Sequence, residues 1–233
     1  MSDVFRKRRV FLIFIIFVAF IFVIIINSLN QSESTVTIKP KINHVTSVSA
    51  IDELNKLLIK GRSPKTGYTR EQFGLNWATK GGCDTRNIIL NRDLTGVLID
   101  DKCNVTSGAL NDPYTGKTIY FKRGSDSSSA VQIDHVVALS DAWQKGAQQF
   151  TQTQRVALSN DPLELLAVDG VTNMQKGDGD AATWLPPNKS FRCQYVARQI
   201  AVKRKYNLWV TIGEHNAMSA ILDKCPNQLL PTP

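Results

Sequence analysis

The sequence predicts a mixed α+β domain from residue 49 to the C terminus, preceded by an apolar N-terminal helix, and three observations carry that expectation. Short runs rich in β-branched and aromatic residues, at 95–99, 117–122 and 163–168, are bounded by Asn, Asp, Gly and Pro turn signals. Other stretches place apolar residues at helical spacing, as in Ile51, Leu54, Leu57 and Leu58, or Phe191, Tyr195, Val196 and Ile200. With 233 residues, 42% of them hydrophobic, the chain can bury a sizeable core, so one domain with appendages is expected.

Residues 10–26 form an uninterrupted apolar run behind the basic cluster Arg6, Lys7, Arg8 and Arg9. The run is long for a signal-peptide core and is followed by Asn27-Ser28-Leu29-Asn30 instead of a small-x-small cleavage site. It therefore reads as an uncleaved transmembrane signal anchor, with residues 1–9 as a cytoplasmic basic segment; cleavage and secretion are the alternative. Residues 27–48, rich in Ser, Thr, Asn and Lys, read as a flexible linker. Residues 49–233 then form one extracytoplasmic domain.

Ser49 and Asp52 resemble a capping box opening an amphipathic helix that ends at Gly61. Cys83, Cys103, Cys193 and Cys225 all follow the apolar run, in a compartment that permits disulfides. Four cysteines allow three pairings; no C-x2-C pair suggests zinc, and the two shorter loops favour Cys83 with Cys103 and Cys193 with Cys225. Residues 88–90 and 95–99 read as strand fragments, and the turn Asn111-Asp112-Pro113-Tyr114-Thr115-Gly116 leads into a strand at 117–122, which makes a small antiparallel sheet. Arg86 offers either a phosphate-binding guanidinium or an ion-pair partner.

The candidate site lies between Val131 and Trp184. Asp134 and His135 end a short apolar run, and neighbours on a strand point to opposite faces, so the pair serves one site only where the strand breaks into a loop. A carboxylate there can hold a hard cation, while an imidazole takes a proton from water. The run 163–168 follows, then a turn, then Asn173, whose amide carbonyl suits a hard cation and which sits where a strand hands over to a helix. Between them there is room for helices at 140–150 and 153–159.

Asn188 is an expected N-cap for a helix running to about Tyr206, whose remaining positions include Lys189, Arg192, Arg198, Lys203, Arg204 and Lys205. The whole chain carries a net charge of +8, and the first 26 residues account for four basic side chains and one acidic one, which leaves +5 beyond them. Such a surface attracts polyanions without reading their sequence, and no base-reading motif is visible.

The strings GYTREQFG, GCDTRN, DPYTGKTI, QIDHVVALSDAWQKGA, NDPL, LLAVDG, TNMQKGD, DAATWLPPN and YVARQIAVKRKYNLWVT run in order from Gly67 towards Met218. They resemble the HNH, or ββα-metal, nucleases, and within them the secreted domains related to the C-terminal domain of GmrSD restriction endonucleases. The resemblance implies an α+β fold around a ββα-metal core and a phosphodiesterase using one divalent metal, Mg2+ being expected. Asp134 and Asn173 would be its ligands and His135 the general base. Nucleic acid, DNA ahead of RNA, would be the substrate, and no protein partner is implied. The middle position of the HNH triad is usually Asn, but counting back from Asn173 reaches Glu164. Its carboxylate either accepts a hydrogen bond from His135 and fixes the ring or sits at the strand edge paired with a surface Lys or Arg, and Lys176 either neutralises phosphate charge nearby or is a helix-surface lysine. The alternatives are a cell-surface binding module that has lost the chemistry and a hydrolase of another phosphodiester polymer.

Overall fold

A computed structural model of the chain describes residues 18–28 and 48–231. The described residues divide into two units, 18–28 belonging to the first and 48–231 to the second. In the first, residues 18–28 are helical and their side chains are exposed, Phe20 and Phe22 by 66% and 64%. Residues 1–17 and 29–47 lie outside the described residues, and with them the basic segment, half of the expected anchor and nearly all of the expected linker. Among the described residues no helix is long and apolar enough to cross a membrane.

The second unit begins with α1 (Ala50–Leu54), capped by Ser49, whose hydroxyl accepts the Asp52 N–H at 3.4 Å. After a single 3₁₀ turn (Arg70–Phe73) come the short strands β1 (Thr79–Lys80) and β2 (Cys83–Asp84), then α2 (Thr85–Asp93). Residues 88–90 are helical, contrary to the strand expected there. A three-residue apolar run does not distinguish the two, and Asp84 decides it by accepting the Asn87 N–H at 2.7 Å as N-cap. Ile89 and Leu90 are then buried.

Strands β3 (Leu94–Ile99), β4 (Val105–Asn111) and β5 (Thr118–Lys122) form an antiparallel sheet in that order. Strands β6 (Val131–His135) and β7 (Leu165–Asp169) form a separate antiparallel pair, in register from Val131 opposite Asp169 to His135 opposite Leu165. Between them lie α3 (Leu139–Gln144) and α4 (Gln152–Ser159). The helix expected at 140–150 stops early because Gly146 adopts φ 130°, a conformation open to glycine. Thr151 and Gln154 form a capping box that starts α4. Immediately after β7 comes α5 (Gly170–Lys176), then α6 (Arg192–Lys205) and α7 (Ile212–Leu222).

Two apolar clusters result. The inner face of the three-stranded sheet packs Leu94, Val105, Leu110 and Phe121 with Ile89 and Leu90 of α2 and with Val131, Ile133, Leu165 and Ala167 of the strand pair. The opposite face of β7, with Val136 and Val137 just after β6, meets a larger cluster built on the helices, including Tyr195, Ile200, Trp143 and Met218. Leu165 and Ala167 belong to one cluster, Leu166 and Val168 to the other, so the period-two alternation of a strand buried on both sides sorts β7 between them. The disulfides Cys83–Cys103 and Cys193–Cys225 are the two shorter loops. The first ties β2 to the turn between β3 and β4, the second ties α6 to the residues after α7.

Candidate active site

Asp134 and His135 are the last two residues of β6, and the pleat turns them to opposite sides. Asp134 faces α5. The Lys176 Nζ lies 2.8 Å from each of its carboxylate oxygens and 2.5 Å from the His135 carbonyl, and the Tyr114 hydroxyl donates to Oδ2. His135 faces α4. Its ring stacks on Trp77, 5.7 Å between centroids and 7° between planes, and Nε2 lies 3.0 Å from the Ser159 carbonyl. A carbonyl can only accept, so Nε2 carries the proton and Nδ1 keeps its lone pair. Both residues nevertheless line one cleft of about 420 Å³ together with Asn173, Tyr68 and Arg70. His135 also lines a second, with Trp77, Leu75 and Asn160.

Local structure explains each position. The side chain of Asp169 caps α5 by accepting the Thr172 N–H at 2.7 Å. A side chain at Gly170 would come within 2.0 Å of the Ser129 carbonyl, so only glycine lets the helix start this close to the segment before β6. From that start, Thr172 and Lys176, four residues apart, are buried on the inner face, while Asn173 comes up beside the cleft and Met174 is exposed. Tyr114 is fully buried against Trp184, Phe191 and Tyr195. Its turn is fixed by Asp112, whose Oδ1 accepts the Asp169 N–H at 2.9 Å.

Burial shifts the pKa of two groups in opposite directions. His135 is lowered to about 3 from the ordinary 6.5, first by burial and then by the positive charge of Arg70, so the imidazole is neutral at physiological pH. Glu164, with no exposed surface, has its pKa raised well above 4.5, chiefly by burial, against the opposing positive charge of Lys176. Expected to hold the His135 ring, Glu164 is placed elsewhere. Its Oε2 accepts the Val137 N–H at 3.2 Å and its own carbonyl accepts the Val136 N–H at 2.9 Å, while the ring is held by Ser159. Gln199 completes the grip on this loop by donating to the Val136 carbonyl at 2.8 Å. Lys176 is buried and neutralises Asp134 instead of facing a ligand.

Asp134 and Asn173 supply oxygen donors to one cleft. The Asn173 Nδ2 donates to Gln132 Oε1 at 2.9 Å, which fixes the amide and leaves its carbonyl oxygen as the donor. A carboxylate and an amide carbonyl fit a hard divalent cation that keeps several waters, with Lys176 competing for the carboxylate. Among the described residues no group of three or more His, Cys, Asp or Glu is placed to hold a metal. Arg86 lines neither cleft; its guanidinium lies over the Phe121 ring, 5.8 Å from the centroid.

Sequence reasoning passed over Tyr114, Ser159, Trp77 and Arg70. Ser159 acts through its backbone carbonyl, which carries no side-chain signal. Tyr114 was visible only as an aromatic inside a turn string, and it takes the fold to bring that turn to Asp134.

Residues 84–221 match the family described as GmrSD restriction endonucleases, C-terminal domain. A protein of Arthroderma benhamiae named "Uncharacterized secreted protein" is 39% identical over 175 residues, covering 74% of this chain and 82% of that one. The family match contains Asp134, His135, Glu164, Asn173 and Lys176; Tyr68, Arg70 and Trp77 precede it.

Proposed function

Because the chain belongs to the family of GmrSD restriction-endonuclease C-terminal domains, we propose that it is a divalent-metal-dependent, sequence-nonspecific endonuclease acting outside the cytoplasmic membrane. The observation that carries this reading is the neutral His135, with Nε2 bound to the Ser159 carbonyl, on the same cleft as the oxygens of Asp134 and Asn173. The succession of β6, β7 and α5 around that cleft supports a ββα-metal core.

In the mechanism, His135 Nδ1 accepts a proton from a water as its oxygen attacks phosphorus and the P–O bond to the leaving strand breaks. The leaving oxygen takes its proton from solvent. General-base assistance of this kind is worth about 10²–10⁴-fold. Asp134 and Asn173 would hold the cation, Mg2+ by their oxygen chemistry, which supplies charge neutralisation at the phosphate when bound. Lys176 and Tyr114 keep the Asp134 carboxylate in place, and Glu164 pins the loop that follows His135 by accepting the Val137 N–H.

Two disulfides favour an oxidising compartment, and the secreted relative points the same way. The apolar run 10–26 would deliver the domain there and anchor it. Fractionation tests this: the chain should stay with membranes and be open to external protease, and a shorter soluble product would replace the anchor with secretion.

Incubating the full-length protein with supercoiled plasmid in Mg2+, in Mn2+ and in EDTA tests the activity. Nicking and linearisation should appear with metal and vanish with EDTA. No cleavage of plasmid or RNA, with cleavage of a polyol-phosphate polymer, would move the substrate elsewhere, and binding without cleavage would leave a binding module.

A further inference from the structure

Among the described residues, Arg70 is the one lysine or arginine that lines either cleft meeting at His135, and it lines both. The acids around it are Asp134 and Asp178 on one side, Asp84 on the other and Glu71 next to it in the same turn, whose carboxylate feels the charge of Arg70 without an ion pair to it. Its side chain is exposed and, among the described residues, makes no ion pair and no side-chain hydrogen bond. Other arginines are employed: Arg62 on Asp141 and Asp180, Arg92 on Asp93, Arg155 on the carbonyls of Gln72 and Phe150, Arg198 on that of Leu163.

The turn carrying Arg70 is also fixed relative to the catalytic ring. Phe73 is buried, and its carbonyl accepts the Ser159 hydroxyl at 2.6 Å, while the Ser159 carbonyl is the group that orients His135. Gln72 donates to the Gly67 carbonyl at 3.0 Å and accepts from Arg155. A free guanidinium presents a planar fork that matches two phosphate oxygens, which an ammonium does not.

We infer that Arg70 binds a substrate phosphate beside His135, so that a wall lying outside the family-matched residues completes the site. The assignment rests on the nuclease reading for its substrate but is separable from it.

The test pairs a rate with a binding measurement. In the full-length protein, Arg70→Gln should lower kcat/KM for plasmid cleavage by about 10²–10³-fold, the cost of losing one donor to transition-state charge, and Arg70→Lys should recover only part of it. In the His135→Ala background, binding of a fluorescent oligonucleotide is followed against salt. Arg70→Gln should reduce the slope of log K against log salt by about 1, whereas Lys224→Gln, an equal loss of charge at an exposed position after α7, should not. If the wild type cleaves and Arg70→Gln changes neither rate nor slope, the assignment is overturned and the nuclease reading stands. A reduced slope in a chain that cleaves nothing keeps the phosphate site and removes the nuclease reading; an unchanged slope there removes both.

Discussion

Two regions of this domain bury lysine ammonium groups completely, and they differ in what surrounds them. At one, Lys145 lies 2.7 Å from Asp141, 2.8 Å from Asp180 and 2.6 Å from Glu214, Lys203 lies 3.0 Å from Glu214 and 3.3 Å from Asp141, and Arg62 reaches Asp141 and Asp180. Three cations meet three carboxylates, joining α3, α6 and α7 to the segment after α5. At the other, Lys176 alone meets Asp134, and that carboxylate also lines a cleft with a neutral histidine and an amide. Balanced charge shut away from ligands serves the fold; a single pair open to a cleft leaves a carboxylate that a ligand can share. The same residue types thus close off one region and leave the other open to a cleft.

Lys145→Met should have the largest effect on stability. Removing one partner strands buried carboxylates, which costs about 3–5 kcal/mol, so denaturant unfolding should show a loss of that order. The molecules that remain folded should keep their specific activity. A change below about 1 kcal/mol would mean the network is loosely solvated.

Lys176→Met should destabilise as well, by less, since water in the cleft can reach Asp134. The two variants then part company on adding a divalent cation. Mn2+ should raise the Tm of Lys176→Met well beyond its effect on the wild type, because a competitor for Asp134 has gone, and should leave Lys145→Met unmoved. Equal responses would erase the distinction between the regions.

Glu164→Gln gives the smallest effect and a definite sign. The folded pKa of Glu164 lies above its unfolded value, so the stability its carboxyl contributes is present below about 4.5 and is lost as pH rises through the folded value. Gln keeps an acceptor for the Val137 N–H and cannot ionise. The variant should match the wild type at pH 4 and gain on it by pH 8 in thermal unfolding, and a gap that narrows with pH would show Glu164 to be ionised in the fold.

Much of this was legible in the chain because it depends on local chemistry. Asp134 and His135 follow an apolar run, Asn173 follows another, and the turn residues between them bound the strands. The cysteine spacings favoured the pairing found. What was not legible depends on tertiary approach: a serine carbonyl orienting His135, Tyr114 brought to Asp134 by a turn that Asp112 ties to β7, and Lys176 reaching back from α5 to the strand beside it. Glu164 showed itself as a charge among apolar residues, but its partner is a loop amide, and no spacing rule names one. Residues 88–90 misled because three apolar residues fit strand and helix alike until the Asp84 cap is weighed.

A hydrolytic cleft shared by Asp134, His135 and Asn173 depends on His135 for its rate. Single-turnover cleavage of a labelled duplex by His135→Ala, set beside its affinity for the same duplex and its far-UV circular dichroism, tests it most directly. The rate should fall by about 10²–10⁴-fold while affinity and fold are retained; an undiminished rate would contradict the account.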